Sequence, residues 1–411
     1  LKEKRIFYGW WIVAGSVLIT STLVPSVVAL ANKFLLPVTA DMGISRSAFT
    51  LSNTILQAMG IFLSPFVAKK ISQGNLKRIQ STAIFIFAGA YASYGFATRP
   101  IYLYLLSVII GICYLFATII PVSIMITNWF VKKRGLAMSI AMTGIGLGGF
   151  IFSPLITIWI NHYGWRTTYM IMGAVLLIVS LPISLFVFKK NPAEKGLLPY
   201  GSNEQNGYKE EHDETATVKL TMKEAIKKPF FILLIVGMTL NGVINSGALG
   251  QFPPALEGLQ TPTIAATIIS LYSLIGIAGK LSLGWINDRF GIIASSIYGC
   301  VAFGLAFFFI LSGDNYVSVY LVAITFGLGI GIGTVSPPLV TSSIFSKEQY
   351  GEAYGYTSSA MQAGMSIGSL FVAIIYDNTG SYQTAWIILI VLTILTLTCW
   401  ISSFLQSRKY C

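Results

Sequence analysis

Apolar runs of twenty or more residues recur from Gly9 to Leu405, separated by short polar or basic turns. A hydrocarbon core of about 30 Å needs roughly 20 apolar residues in a helix, so each run is long enough to cross a bilayer. Twelve can be drawn, near 9–38, 45–69, 79–98, 100–128, 135–160, 166–188, 230–255, 263–287, 292–312, 315–342, 352–376 and 383–405. Only helices and closed barrels satisfy their backbone inside lipid, and runs of this length predict helices. The expected fold is an all-α membrane protein of twelve transmembrane helices. Pro25, Pro121, Pro154, Pro182, Pro337 and Pro338 fall inside the runs and predict bends or local opening.

Between Lys189 and Pro229 the pattern collapses into turn residues and the mixed-charge stretch Lys209–Glu210–Glu211–His212–Asp213–Glu214. That divides the chain into a six-helix bundle at 1–189, a cytoplasmic linker at 190–228 and a second bundle at 229–411. A short amphipathic helix is expected at Thr221–Lys227. The halves also match at an offset of about 216: Pro37 with Pro253, Pro121 with Pro337, Gly135 with Gly351, Gly148 with Gly364, Gly164 with Gly380. Parallel repeats of this kind suit alternating access about a site at the repeat interface. Gly144, Gly148, Gly364 and Gly368 recur at four-residue spacing, which lets helix backbones approach closely.

Charge fixes the orientation. The net charge is +12, with only 10% of residues charged. With the N-terminus placed in the cytoplasm, Lys2, Lys4, Arg5, Lys69, Lys70, Lys77, Arg78, Lys132, Lys133, Arg134, Arg289, Lys347, Arg408 and Lys409 fall inside, while Arg46, Arg99 and Arg166 fall outside. This is the positive-inside asymmetry, so both termini are expected in the cytoplasm of a multi-pass protein of the cell inner (plasma) membrane. The same placement argues against a nucleic-acid partner. The four cysteines offer no extracellular pair for a disulfide, and the first run continues without a cleavage pattern, as a retained helix would.

Lys280 carries the most chemistry. It lies in the run 263–287, whereas all fifteen Asp and Glu residues fall in predicted loops, helix ends or termini. A lysine near the bilayer centre costs roughly 2.5–3.5 kcal/mol on insertion scales. Its presence points to a water-filled cavity, a ligand anion or both; snorkelling toward the cytoplasm is the alternative. Tyr272, Gly276 and Lys280 share one helical face. Asn241 with Asn245, Tyr114 with Thr118, Asn53 with Gln57, and Gln362 are further polar groups at mid-span. Each can donate to a carboxylate or bond between helices.

Five segments carry a family resemblance. Gly284-Trp-Ile-Asn-Asp288-Arg289-Phe-Gly291 resembles the cytoplasmic loop motif G-x-x-x-D-R-x-G of the major facilitator superfamily. Its first-half counterpart, Pro65 to Gly74, lacks the acid. Tyr8-Gly9-Trp10-Trp11 and Asn128-Trp129-Phe130-Val-Lys132-Lys133-Arg134-Gly135-Leu-Ala137 are similar to segments of the monocarboxylate carriers and oxalate/formate exchangers. Lys280-x-x-x-Gly284-x-x-x-Asp288 has the spacing of their R-x-x-x-G-x-x-x-D pattern, in which the arginine binds substrate carboxylate. Lysine keeps the charge but loses the bidentate fork. Lys33, in Lys33-Phe-Leu-Leu-Pro-Val-Thr-Ala-Asp41, matches a lysine implicated in proton-linked transport, and reads equally as an interfacial snorkelling lysine.

Two departures narrow the expectation. Gly276 stands where proton-linked relatives carry an aspartate, and Met361 where the oxalate exchangers carry a second cation. The resemblance therefore implies a secondary transporter of a small organic monocarboxylate, by proton symport with Lys33 or Lys280 as proton carrier. Carboxylate exchange against a counter-anion, efflux of drugs or metabolites, and an anion receptor on the same fold are the alternatives. Gly284, Asp288, Arg289 and Gly291 form the expected gating motif. Nothing predicts a cofactor, metal or catalytic group: the histidines, His162 and His212, lie in different loops, and no phosphate-binding loop occurs. The carrier is expected to work as a monomer in lipid.

Overall fold

The computed structural model describes residues 6–28, 30–202, 218–259, 262–312 and 315–411. The basic cluster Lys2, Lys4 and Arg5 and the mixed-charge stretch of the linker with His212 lie outside them. The described chain is helical, with two isolated backbone bridges, Phe130 to Tyr200 and Val218 to Phe345.

Twelve membrane-crossing stretches follow in order. Span one is Tyr8–Val27 with Ala31–Met42, span two Arg46–Gln73, span three Leu76–Ser93, and span four Pro100–Ala117 with Ile119–Trp129. Spans five and six share Arg134–Pro182, interrupted at Gly164, and spans eight and nine share Pro262–Leu311, interrupted at Gly291. Both glycines take the left-handed backbone (φ 76° and 83°) that other residues avoid. Span seven is Pro229–Leu259, span ten Tyr316–Gly329 with Ser336–Ile344, span eleven Lys347–Thr379 and span twelve Gln383–Ser407. Local chemistry sets the ends: Ser45 accepts from Ala48 N ahead of span two, and Asn75 accepts from Arg78 N ahead of span three.

Side chains such as Phe62, Phe150 and Phe186 are 75, 80 and 76% exposed, as expected of a surface that faces acyl chains. Lipid removes the hydrophobic drive between helices, so close packing and hydrogen bonds hold them. Glycine supplies the closeness. A Cβ on Gly144 or Gly148 of span five would collide with the backbone carbonyls of Val17 and Ser21 in span one. On Gly364 or Gly368 of span eleven it would meet those of Thr239 and Val243 in span seven.

The chain forms two compact units. One runs through Lys132 and resumes from Ile140 to the linker; the other holds Lys133–Ser139 and the helices of the second half. The linker's ends are docked. Tyr200 accepts from Val131 N and Lys132 N and donates to Trp129 O, while Val218 N donates to Ile344 O and Lys219 N to Tyr410 O. Within the expected Thr221–Lys227 helix only the single turn Met222–Ala225 is helical, with a capping box between Thr221 and Glu224.

Candidate functional site

In the second unit, span ten opens at the sequence Ile330-Gly-Ile-Gly333, where the α-helix tightens into a 3₁₀ turn before Ser336–Ile344 resumes. Its glycines leave the backbone bare, and neighbouring helices fill the space. A side chain on Gly331 would begin 3.4 Å from Cα and 3.6 Å from Cγ of Lys280, so the stem of that lysine in span eight lies along the opened turn. Lys280 is 7% exposed. From span seven, Asn241 Nδ2 donates to the carbonyl of Ile332 (3.1 Å). Asn245 Nδ2 donates to both the backbone oxygen and Oδ1 of Asn241 (3.0 Å each). Asn245 Oδ1 faces Gly333, where any Cβ would collide with it. The break thus brings Lys280, Asn241 and Asn245 to one three-residue segment.

The face of span eight shared by Tyr272, Gly276 and Lys280 packs on span ten. Tyr272 is buried, edge-on to Phe326 with centroids 4.8 Å apart, and a Cβ on Gly276 would stand 3.0 Å from Ile330. Gln362 is half-buried in span eleven; its neighbour Met361 makes the approach instead, with Sδ 4.0 Å from Asn241 Nδ2.

The other polar candidates lie in the first unit. Thr118 is buried at the break of span four and donates to Tyr114 O (2.7 Å). Pro121 explains that break: it has no N–H to give residue 117, and its ring crowds that carbonyl. The freed oxygen of Ala117 accepts from Gln80 Nε2 of span three (2.9 Å). Gln80 is a structural clasp that sequence reading missed, because it stood at the predicted start of its span. Asn53 lines a cavity of about 10 Å³ with Ser26, Ser52, Tyr91, Tyr94 and Tyr169, room for about one water. Gln57 is half-buried outside that lining. Lys33 is exposed, one turn beyond the break in span one. The acid of its stretch, Asp41, pairs with Arg166 (3.0 Å), which also donates to Gly95 O and Ala97 O.

The loop motif has a definite job. Asp288 accepts from Gly135 N (2.7 Å) and Leu136 N (2.8 Å), placing a carboxylate on the first turn of span five, where free N–H groups and the helix dipole favour an anion. Gly284 fits because a Cβ there would strike Gly135 O and Ser139 Oγ, and Gly291 makes the turn into span nine. Arg289 lies 5.4 Å from the ring centroids of both Trp285 and Phe290. Arg134 Nη1 donates to Ser342 O (3.4 Å). In the first half the equivalent hairpin meets a cation: Lys190 Nζ donates to Ser72 O and to Gly74 O. Partial burial holds that ammonium below the ordinary lysine range.

Among the described residues no cluster of three His, Cys, Asp or Glu side chains is placed to hold a metal ion. The family model of the Major Facilitator Superfamily matches residues 10–343. The chain is 24% identical over 422 residues to monocarboxylate transporter 12 of Rattus norvegicus, covering 93% of this chain and 82% of that one. It is 24% identical over 406 residues to monocarboxylate transporter 13 of the same species, covering 92% and 86%. Among solved structures, the transporter FucP in the outward conformation superimposes with a TM-score of 0.68 at 15% identity, over 96% of this chain and 99% of that one. Twelve helical crossings, the capped loop motif and a family match over most of the length lead to one assignment: this chain belongs to the Major Facilitator Superfamily, and it is a multi-pass membrane transporter, not an enzyme.

Proposed function

We propose that this transporter carries a small organic monocarboxylate by alternating access, with Lys280 as the group that anchors the carboxylate. The observation that carries the reading is a lysine 7% exposed in an apolar helix, set along the opened backbone of span ten beside two buried carboxamides. An ammonium in an apolar span is a fixed positive charge, and a carboxylate arriving from water binds it through a charge-assisted hydrogen bond. Relatives named monocarboxylate transporters 12 and 13 support an anionic substrate of this size class. One cationic side chain suits one carboxylate with a small apolar tail.

Both termini are placed in the cytoplasm, on the positive-inside asymmetry of the loops. Proton symport is the coupling we favour. Of the two candidate proton carriers we favour Lys280, because it is buried beside the opened turn of span ten, whereas Lys33 is exposed. Exchange against a second carboxylate is the alternative, favoured by Gly276 standing where proton-linked relatives carry an acid.

Uptake of a panel of radiolabelled monocarboxylates into proteoliposomes tests the substrate. Lys280→Gln all but abolishes saturable uptake, lowering it about 100-fold, and Lys280→Arg retains or strengthens it, since arginine restores a two-pronged donor. Unchanged uptake by Lys280→Gln removes the assignment. Vesicles with and without internal carboxylate, at equal pH on both sides, then separate the coupling modes: strict dependence on internal anion defeats symport.

A further inference from the structure

From Met42 to Ala193 the chain holds no Asp or Glu at all. The hairpin joining spans two and three therefore carries Lys69, Lys70, Lys77 and Arg78 without any acid of its own. Lys69, Lys70 and Arg78 are exposed and Lys77 is half-buried. Among the described residues none of the four has a carboxylate within ion-pair distance.

The positive-inside rule accounts for basic residues on this side of the membrane, but three local features go further. Phe62, Phe66 and Lys70 follow one helical face of span two; the two rings are 75 and 58% exposed, and Lys70 Nζ lies 5.6 Å over Phe66. That face passes from acyl-chain surface to ammonium within two turns, the depth profile of a phospholipid read from tail to headgroup. Next, the negative end of span two is already neutralised: Lys190 donates to the carbonyls of Ser72 and Gly74, so a fifth cation stands at the tip. Finally, the equivalent hairpin of the second half keeps Asp288 and spends it on the first turn of span five, whereas this hairpin has no acid to spend.

We propose that the hairpin Lys69–Arg78 is a docking surface for the phosphate headgroups of anionic phospholipids. The acyl chains lie along the Phe62–Phe66 face and the phosphate meets Lys70, Lys69 and Arg78. The proposal rests on the topology given above only for the name of the leaflet, the cytoplasmic one.

Native mass spectrometry of the full-length protein in detergent, titrated with phosphatidylglycerol and with phosphatidylcholine, tests it without reference to orientation or uptake. Wild type is expected to retain phosphatidylglycerol preferentially. A variant carrying Lys69→Gln, Lys70→Gln, Lys77→Gln and Arg78→Gln loses that preference, by about fivefold for each cation that touches phosphate. A control carrying Lys223→Gln, Lys227→Gln and Lys228→Gln, at the base of the second half, keeps it. Equal loss in both variants shows a generic charge effect and overturns the site, as does equal retention of the two lipids by wild type. Lys69→Arg with Lys70→Arg is expected to rescue binding, which separates the proposal from a folding defect. Failure here leaves the monocarboxylate reading standing, because that reading is decided by uptake through Lys280.

Discussion

Span four opens at Thr118 and span ten at Thr334, an offset of 216, and each opening stands three residues ahead of a proline. A carboxamide from a neighbouring helix clasps each: Gln80 takes the carbonyl of Ala117, and Asn241 takes that of Ile332. Beyond this the two differ. Gln80 Oε1 is buried with no hydrogen-bond partner among the described residues, whereas Asn241 Oδ1 accepts from Asn245. The second opening has a lysine laid along it. The comparison teaches that an opened helix is first a folding solution, used in both halves with a neighbouring carboxamide taking a carbonyl that the opening leaves bare. It becomes a candidate binding site only in the half where a cation has been added.

The largest expected effect comes from removing that cation. Lys280→Gln lowers saturable monocarboxylate uptake about 100-fold, the equivalent of roughly 3 kcal/mol for a lost charge-assisted bond, while Gln80→Leu leaves uptake within a few-fold of wild type. A Gln80→Leu protein as inactive as Lys280→Gln would erase the functional difference between the openings. Next comes Asn241→Leu, which strands the carbonyl of Ile332 and takes from the amide of Asn245 one of its two acceptors, leaving it the backbone oxygen of residue 241. It should destabilise the purified protein by roughly 2–3 kcal/mol, seen as a large drop in apparent Tm. Gln80→Leu strands one carbonyl but also removes an oxygen that had no partner, so its cost is about 1 kcal/mol or less. The order of the two Tm shifts is the measurement; its reversal breaks the contrast. Smallest is Gly333→Ala. Its methyl meets the far end of a flexible side chain, Asn245 Oδ1, and the carboxamide turns aside at under about 1 kcal/mol. The readout is a few-fold rise in KM with little change in Tm.

Much of this was legible along the chain. Length and hydropathy are enough for the crossings, because lipid leaves a long apolar run no structure but a helix. Asn241 and Asn245 are visible as a buried pair from their four-residue spacing. Their work is not, since a 3₁₀ opening at Gly-Ile-Gly is written in glycines that also serve close packing elsewhere. Tyr272 illustrates the opposite limit: sharing a face with Lys280 reads as a site, and that face turns out to carry the packing of span eight on span ten. Gln80 escaped because its helix begins at Leu76, several residues before hydropathy places it. Asp288 is legible as a motif, but its partners, Gly135 and Leu136, lie some 150 residues away, and only three-dimensional structure names them.

The bridges at Tyr200 and Val218 bear on how this chain can be cut and extended. The residues before Tyr200 belong to the floor of the first unit: Trp129 Nε1 donates to Lys189 O and Asn128 Nδ2 to Asn191 Oδ1. Those after Val218 are fastened through Gln349 Nε2 to Leu220 O. A reporter domain, an epitope tag or a protease site therefore belongs between Ser202 and Val218. Linker deletions that begin at Lys190, where hydropathy alone marks the boundary, would strip out part of the folded protein.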